Sequence, residues 1–178
     1  MIEVLTNSVT KTFVDLQKQI HHPHMHWQYH DPMSFPGKGR EEELPFYSHQ
    51  VMGRPMQGQR YSMITSSLFD VTYRAIEEIL TQNKIELNTI YRINFNATFN
   101  NGELKQSSWH KDLNFPHKNL IVYMNSFEGS GATMVRQDDN TQDFEPQLND
   151  AIVFDGSLEH CHLVPTSGRR ITLVVNYL

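Results

Sequence analysis

The chain is poor in cysteine, in positive charge and in long apolar runs. Its 178 residues include one cysteine, Cys161, which excludes an intramolecular disulfide framework and suits a reducing compartment. Lysine and arginine number 15 against 20 acidic residues, a formal net charge of −5. No global positive field therefore draws the protein to nucleic acid or anionic lipid. No apolar run is long enough to span a bilayer, and Met1-Ile2-Glu3-Val4 lacks the basic and long apolar regions of a secretory signal. These absences predict a cytoplasmic protein with neither membrane nor nucleic acid as partner. The length suffices for one domain with a sizeable core.

Histidine, by contrast, is abundant. Five of the ten histidines are His21, His22, His24, His26 and His30, interspersed with Trp27 and Tyr29. A His-rich tract can bind metal. No carboxylate or thiol is interleaved here at ligand spacing, and the tract is read as a polar loop with packed aromatics. Just before it, Val9, Phe13, Leu16 and Ile20 recur at spacings of three and four. That pattern predicts an amphipathic helix over 9–21, capped by Ser8 or Thr10 and stopped by Pro23.

Residues 31–62 hold Pro32, Pro36, Gly37, Gly39, Pro45, Gly53, Pro55 and Gly58. This density of breakers predicts an irregular loop with at most one short strand, long enough to act as a lid. A second helix opens at Ser67, with Asp70 three residues on as in a capping box. Its expected apolar stripe is Phe69, Tyr73, Ile76 and Leu80, and it ends near Asn83.

After Asn88 the apolar period changes from 3.6 to 2. Residues 90–99 alternate, and Asn100-Asn101-Gly102 makes a turn. Short strand-like runs follow at 107–112, 120–125, 132–136, 151–154, 159–164 and 170–177, with no helix between them. The expected fold class is mainly β with helices, a sandwich or jelly roll carrying two helices on one face. It forms one domain over 1–178, with a helical and lid part at 1–87 and a β core at 88–178.

The chemistry gathers between Trp109 and Arg170. His110 and Asp112 are two apart, so on a strand they face the same way. A second imidazole comes from His160, or from His162 two residues further on. Two His and one carboxylate on one side of a metal form the facial triad of non-haem Fe(II) oxygenases, which leaves coordination positions open. Thr166-Ser167-Gly168 reads as a three-residue hairpin loop with the glycine in the left-handed position. That register sets Val164 opposite Arg170 and puts Arg170 on the face of His160 and His162. A buried arginine needs an anion, and its planar fork suits a carboxylate. Zn²⁺ also accepts two His and a carboxylate, so a metal-dependent hydrolase is a competing reading. A non-enzymatic jelly-roll binding module is another, and it predicts no buried charge.

The order His110-x-Asp112, His160, Gly168-x-Arg170 resembles the Fe(II)- and 2-oxoglutarate-dependent dioxygenases, specifically the prolyl 4-hydroxylase-like group. Residues 120–125, 129–133, Phe154-Asp155-Gly156 and 164–168 add to the likeness, which covers about residues 91–178. The resemblance implies a double-stranded β-helix (a cupin-like jelly roll) flanked by N-terminal helices. It implies iron held by His110, Asp112 and His160, the ten-residue step to Arg170 favouring His160 over His162. It implies Arg170 on the distal carboxylate of 2-oxoglutarate, with Tyr123 donating a hydrogen bond to it. With O₂ and 2-oxoglutarate, such an enzyme hydroxylates an unactivated C–H bond of a peptide, protein or small-molecule substrate, releasing succinate and CO₂. The nucleic-acid demethylase branch carries a further arginine six positions after the first. Here that position is Asn176.

Overall fold

The structure is a computed structural model and describes residues 1–30, 44–55, 61–100 and 106–178. Its strands are β1 Glu3–Leu5, β2 Gln28–His30, β3 Phe46–Gly53, β4 Met63–Ile64, β5 Ile90–Phe99, β6 Lys118–Tyr123, β7 Thr133–Gln137, β8 Asn140–Phe144, β9 Ala151–Asp155, β10 Glu159–His162 and β11 Arg169–Tyr177. Two helices, α1 Lys11–Ile20 and α2 Phe69–Gln82, complete it. The main sheet runs β1-β9-β6-β11-β5-β3-β2, with β4 on β3, and a three-stranded sheet runs β10-β7-β8. All the pairings are antiparallel. This is the expected jelly-roll architecture. No described helix is long and apolar enough to cross a membrane.

Alternation along the central strands explains how the sheet serves two purposes. On β5 and β11 the residues Ile93, Phe95, Ala97, Ile171, Leu173, Val175 and Tyr177 face outward and are buried under the helices. Phe13, Leu16 and Ile20 of α1 and Ile76, Ile79 and Leu80 of α2 cover them. The opposite face of the same strands carries Arg92, Asn94, Asn96, Thr98, Arg170, Thr172 and Asn176. Polar groups inside a sandwich are costly unless they are paired, so this inner face marks where the interior is used for chemistry. A second apolar cluster, with Ile121, Tyr123, Val135, Ile152 and Phe154, fills the rest of the space between the sheets.

Thr10 caps α1 as expected, its Oγ1 accepting from the Phe13 amide at 3.2 Å. Helix α2 departs from expectation. Its cap position is Leu68, without a side-chain bond, and Ser66 instead accepts from the Leu68 amide at 3.1 Å. Its buried stripe is Thr72, Ala75, Ile76, Ile79 and Leu80, so Phe69 and Tyr73 stand at its edge.

The hairpin expected at 164–170 does not form. β10 belongs to the small sheet and β11 to the main one, and residues 163–168 carry the chain across. Gly168 does take the left-handed conformation (φ 78°), which a side chain would strain. In the loop region, β3 is eight residues long and pairs with β5. Pro45 and Gly53 border it rather than interrupt it. Residues 1–87 thus supply strands as well as helices. The lid expectation for 31–62 falls partly on 31–43 and 56–60, and the Asn101-Gly102 part of the expected turn on 101–105, all outside the described residues. The run at 107–112 forms one isolated bridge, His110 to His160, just after another from Gln106 to Leu163. Strand β8, between the Asp138–Asn140 turn and Phe144, has no apolar alternation to announce it.

Candidate metal centre and cosubstrate pocket

The bridge between His110 and His160 builds a corner that could hold a metal. Each amide donates to the other's carbonyl, at 3.0 and 2.9 Å. Residues directly opposite in an antiparallel pair project to the same face, so the two imidazoles meet with ring centroids 4.4 Å apart. Asp112 joins them, and one ligand atom from each of His110, Asp112 and His160 lies within 4.8 Å of the others. His110 Nδ1 lies 2.9 Å from the Ser108 carbonyl. A carbonyl can only accept, so Nδ1 carries the proton and the Nε2 lone pair is left for a metal. Among the described residues this is the one group of three such ligands. The His21–His30 tract forms none.

Asp112 is gripped at both oxygens. Arg92 Nη1 donates to Oδ1 at 3.1 Å, and Asn176 Nδ2 donates to Oδ2 at 3.0 Å. Arg92 and Asn176 are register partners across β5 and β11, so two strands deliver one clamp. Burial pushes the Asp112 carboxyl upward, but Arg92, His160, the Asn176 bond and His110 outweigh it and hold the group at about 2. Burial drives the His160 imidazole down to about 4, against the pull of Asp112. Both shifts keep the ligands in the form a metal binds: ionised carboxylate and neutral imidazole.

Arg170 is 4% exposed. Its Nε donates to the Gly131 carbonyl at 2.9 Å and its Nη2 to Thr133 Oγ1 at 2.9 Å. Burial works against its charge, and the one group drawing it upward is the Tyr123 phenol. No described carboxylate pairs with it. Two local devices aim it. Asn125 accepts from the Ile171 amide at 2.8 Å and donates to the Arg169 carbonyl at 2.7 Å, pinning the backbone on either side. Gly131 sits at φ 51°, where a Cβ would come within 2.2 Å of the Phe127 ring.

A cavity of about 320 Å³ joins the two halves, lined by His110, Asp112, His160, Thr133 and Arg170 together with Arg54, Arg92 and His162. Leu44, Phe46, Ile121 and Val174 supply its apolar wall. Tyr123 does not line it. It is fully buried, its hydroxyl 2.6 Å from the Thr133 Oγ1 that Arg170 also reaches. His162 lines the cavity but stands outside the three-ligand group, beside Arg170. Burial, then the Arg170 charge, pushes its pKa well down. Cys161 is buried and free, and burial raises its thiol to about 11. It packs as a small apolar residue.

His110, Asp112, His160 and Arg170 therefore line one cavity, and Tyr123 stands behind it on Thr133. The sequence reading missed Arg54, Arg92, Thr133 and the clamping role of Asn176. The polar set Arg92, Asn94, Asn96 and Thr98, alternating with Ile93, Phe95 and Ala97, was the available signal.

No family model and no curated protein matches the sequence. Solved structures do match the fold. A 2OG-Fe(II) oxygenase family oxidoreductase from Burkholderia pseudomallei aligns with TM-score 0.65 and 14% identity, over 92% of this chain and 76% of that one. A prolyl hydroxylase from Trichoplax adhaerens, in complex with a hypoxia inducible factor oxygen degradation domain peptide fragment, aligns at 0.64 and 8%, over 99% and 83%. A Pseudomonas putida prolyl-4-hydroxylase aligns at 0.57 and 13%, over 99% and 91%. This chain has the fold of those oxygenases.

Proposed function

We propose that this protein is an Fe(II)- and 2-oxoglutarate-dependent dioxygenase that hydroxylates an unactivated C–H bond of a peptidyl side chain or small molecule. One observation carries the reading: the two-His, one-carboxylate group and a buried arginine with no carboxylate partner among the described residues share one cavity. The donor set suits Fe(II), because imidazole and carboxylate on one side leave coordination positions open. His110, Asp112 and His160 would hold the metal. Arg170, with Thr133 and Tyr123 behind it, would hold the distal carboxylate of 2-oxoglutarate. Loaded in this way, Fe(II), 2-oxoglutarate and O₂ supply the oxidation, giving succinate, CO₂ and a hydroxylated product.

The protein's own part is binding, orientation and exclusion of water. Arg92 and Asn176 keep Asp112 charged and fix its plane. The Ser108 carbonyl sets the His110 tautomer. Asn125 and Gly131 aim the Arg170 fork, and the apolar wall keeps water from the reacting atoms. The peptide held by the Trichoplax neighbour supports a peptide among the candidate substrates. The buried, unpaired Cys161 suits a reducing compartment.

The test is succinate formation from 2-oxoglutarate under air with added Fe(II), screened against peptides and small molecules for stimulation. The proposal expects turnover with Fe(II) and none with Zn(II). Ester or amide hydrolysis with Zn(II), and no 2-oxoglutarate consumption with Fe(II), would favour the hydrolase instead.

A further inference from the structure

The cavity wall carries more positive charge than metal and cosubstrate use, an argument that rests on the oxygenase reading above. Among the described residues, three guanidiniums, of Arg54, Arg92 and Arg170, line it against one carboxylate, that of Asp112. An Fe(II) ion and the 2-oxoglutarate dianion cancel one another, so loading leaves an excess of two positive charges. Arg92 is bonded to Asp112, and Arg170 is the guanidinium assigned to a cosubstrate carboxylate.

Arg54 is left over. Its Nη2 is 3.8 Å from Asp112 Oδ1, beyond hydrogen-bonding reach, and that oxygen already accepts from Arg92 at 3.1 Å. The Arg54 side chain is 45% exposed. It lies where the candidate metal cavity meets a more open pocket, since both are lined by Arg54 and Asp112. That outer pocket adds Lys111, Tyr91 and Phe115. The two rings meet edge to face, 4.9 Å between centroids, and Phe115 is 41% exposed. The carboxylate that senses the Lys111 charge, Glu159, is bonded to Arg136.

From this we infer that the substrate is an acid: it carries a carboxylate or phosphate seated by Arg54 and Lys111 beside the metal, with an apolar portion against Tyr91 and Phe115. A guanidinium offers two parallel donors to either anion. The partly water-excluded position strengthens the attraction relative to bulk solvent. Because Arg54 lies next to a metal ligand, the carbon presented for oxidation is near the acidic group.

The test uses three matched probes, phenylacetate, phenyl phosphate and neutral phenylacetamide. Each is titrated by calorimetry into the full chain loaded with Fe(II) and saturating 2-oxoglutarate without oxygen. At least one anion is expected to bind about tenfold or more tightly than the amide, the scale of a charge-assisted hydrogen bond. Arg54→Gln should remove most of that preference, Lys111→Gln part of it, and Arg54→Lys should restore part. Preference for phenylacetate assigns a carboxylate; preference for phenyl phosphate assigns a phosphate. If the amide binds as well as both anions, or if Arg54→Gln leaves the preference intact, the inference fails. Lys111, exposed on the surface, supplies a variant with nothing buried to unfold. Anion preference without any 2-oxoglutarate turnover would reject the oxygenase reading alone; turnover without anion preference would reject this inference alone.

Discussion

Replacing Arg170 separates a cosubstrate anchor from a merely structural arginine. Its guanidinium is buried, donates to Gly131 and Thr133, and has no described carboxylate partner. Removing one member of a buried charged pair costs about 2–5 kcal/mol. At about 1.4 kcal/mol per decade, Arg170→Met should weaken 2-oxoglutarate binding roughly thirty- to several-thousand-fold. A thermal-shift assay with metal present reads this directly. Ligand at a hundred times its dissociation constant stabilises by about 2.7 kcal/mol, which for a chain of this length raises Tm by roughly 5–11 °C. At the same concentration Arg170→Met should show less than about 4 °C, because the ligand now stands near or below its dissociation constant. Arg169 faces the opposite side of the sheet, where it lines a pocket with Trp27, Tyr29 and Tyr47. Arg169→Ala should keep the full shift, since Arg169 is partly exposed on the other face of the sheet and such a surface charge contributes at most about 1 kcal/mol. Tyr123→Phe should fall between the two, losing one hydrogen bond worth about 0.5–1.5 kcal/mol. A full shift in Arg170→Met, or its loss in Arg169→Ala, would refute the reasoning.

Three further outcomes are expected. His110→Ala and Asp112→Ala should both abolish Fe(II) binding, but only Asp112→Ala should lower the Tm of the metal-free protein. It leaves Arg92 buried without its carboxylate, a loss of about 3–5 kcal/mol, whereas His110 is exposed; differential scanning calorimetry distinguishes them. For His160, the folded pKa of about 4 lies below the ordinary 6.5, so the unfolded chain binds the proton more tightly. Its contribution is whole above about pH 6.5 and lost as pH falls toward 4, on the order of 3 kcal/mol in urea titrations of metal-free protein; His160→Ala should flatten that slope. Gly131→Ala should both destabilise the fold by more than about 1 kcal/mol and weaken 2-oxoglutarate binding. Its left-handed φ and the Phe127 ring leave no room for a Cβ, and calorimetric titration beside a melting curve checks both effects.

Local patterns carried most of what was legible. The alternation over 90–99 matches β5 residue for residue, and the spacing of His110 and Asp112 put them on one face, while the choice of His160 over His162 came from the family resemblance. The inward aim of Arg170 was anticipated through a hairpin that does not exist. A Pro165–Gly168 turn reads the same whether the chain folds back in its own sheet or crosses to another, and here it crosses. Parity along β11 reaches the same aim by a different route, since Arg170 alternates with the outward Ile171 and Leu173. The Asp112 clamp was not legible, because Arg92 and Asn176 are 84 residues apart in sequence and meet only by strand register. Arg54 was hidden among loop breakers, and β3 with it, because Pro45 and Gly53 fall at its ends.

The most direct test of the central claim is a crystal structure of the Mn(II)-substituted protein with 2-oxoglutarate, with the metal located by its anomalous scattering. The account expects one metal peak within bonding distance of His110, Asp112 and His160, and a 2-oxoglutarate carboxylate on the Arg170 fork. A metal held by His162 in place of His160 would overturn the ligand assignment. A cosubstrate elsewhere than on Arg170, or a cavity that takes metal but no 2-oxoglutarate, would contradict the account itself.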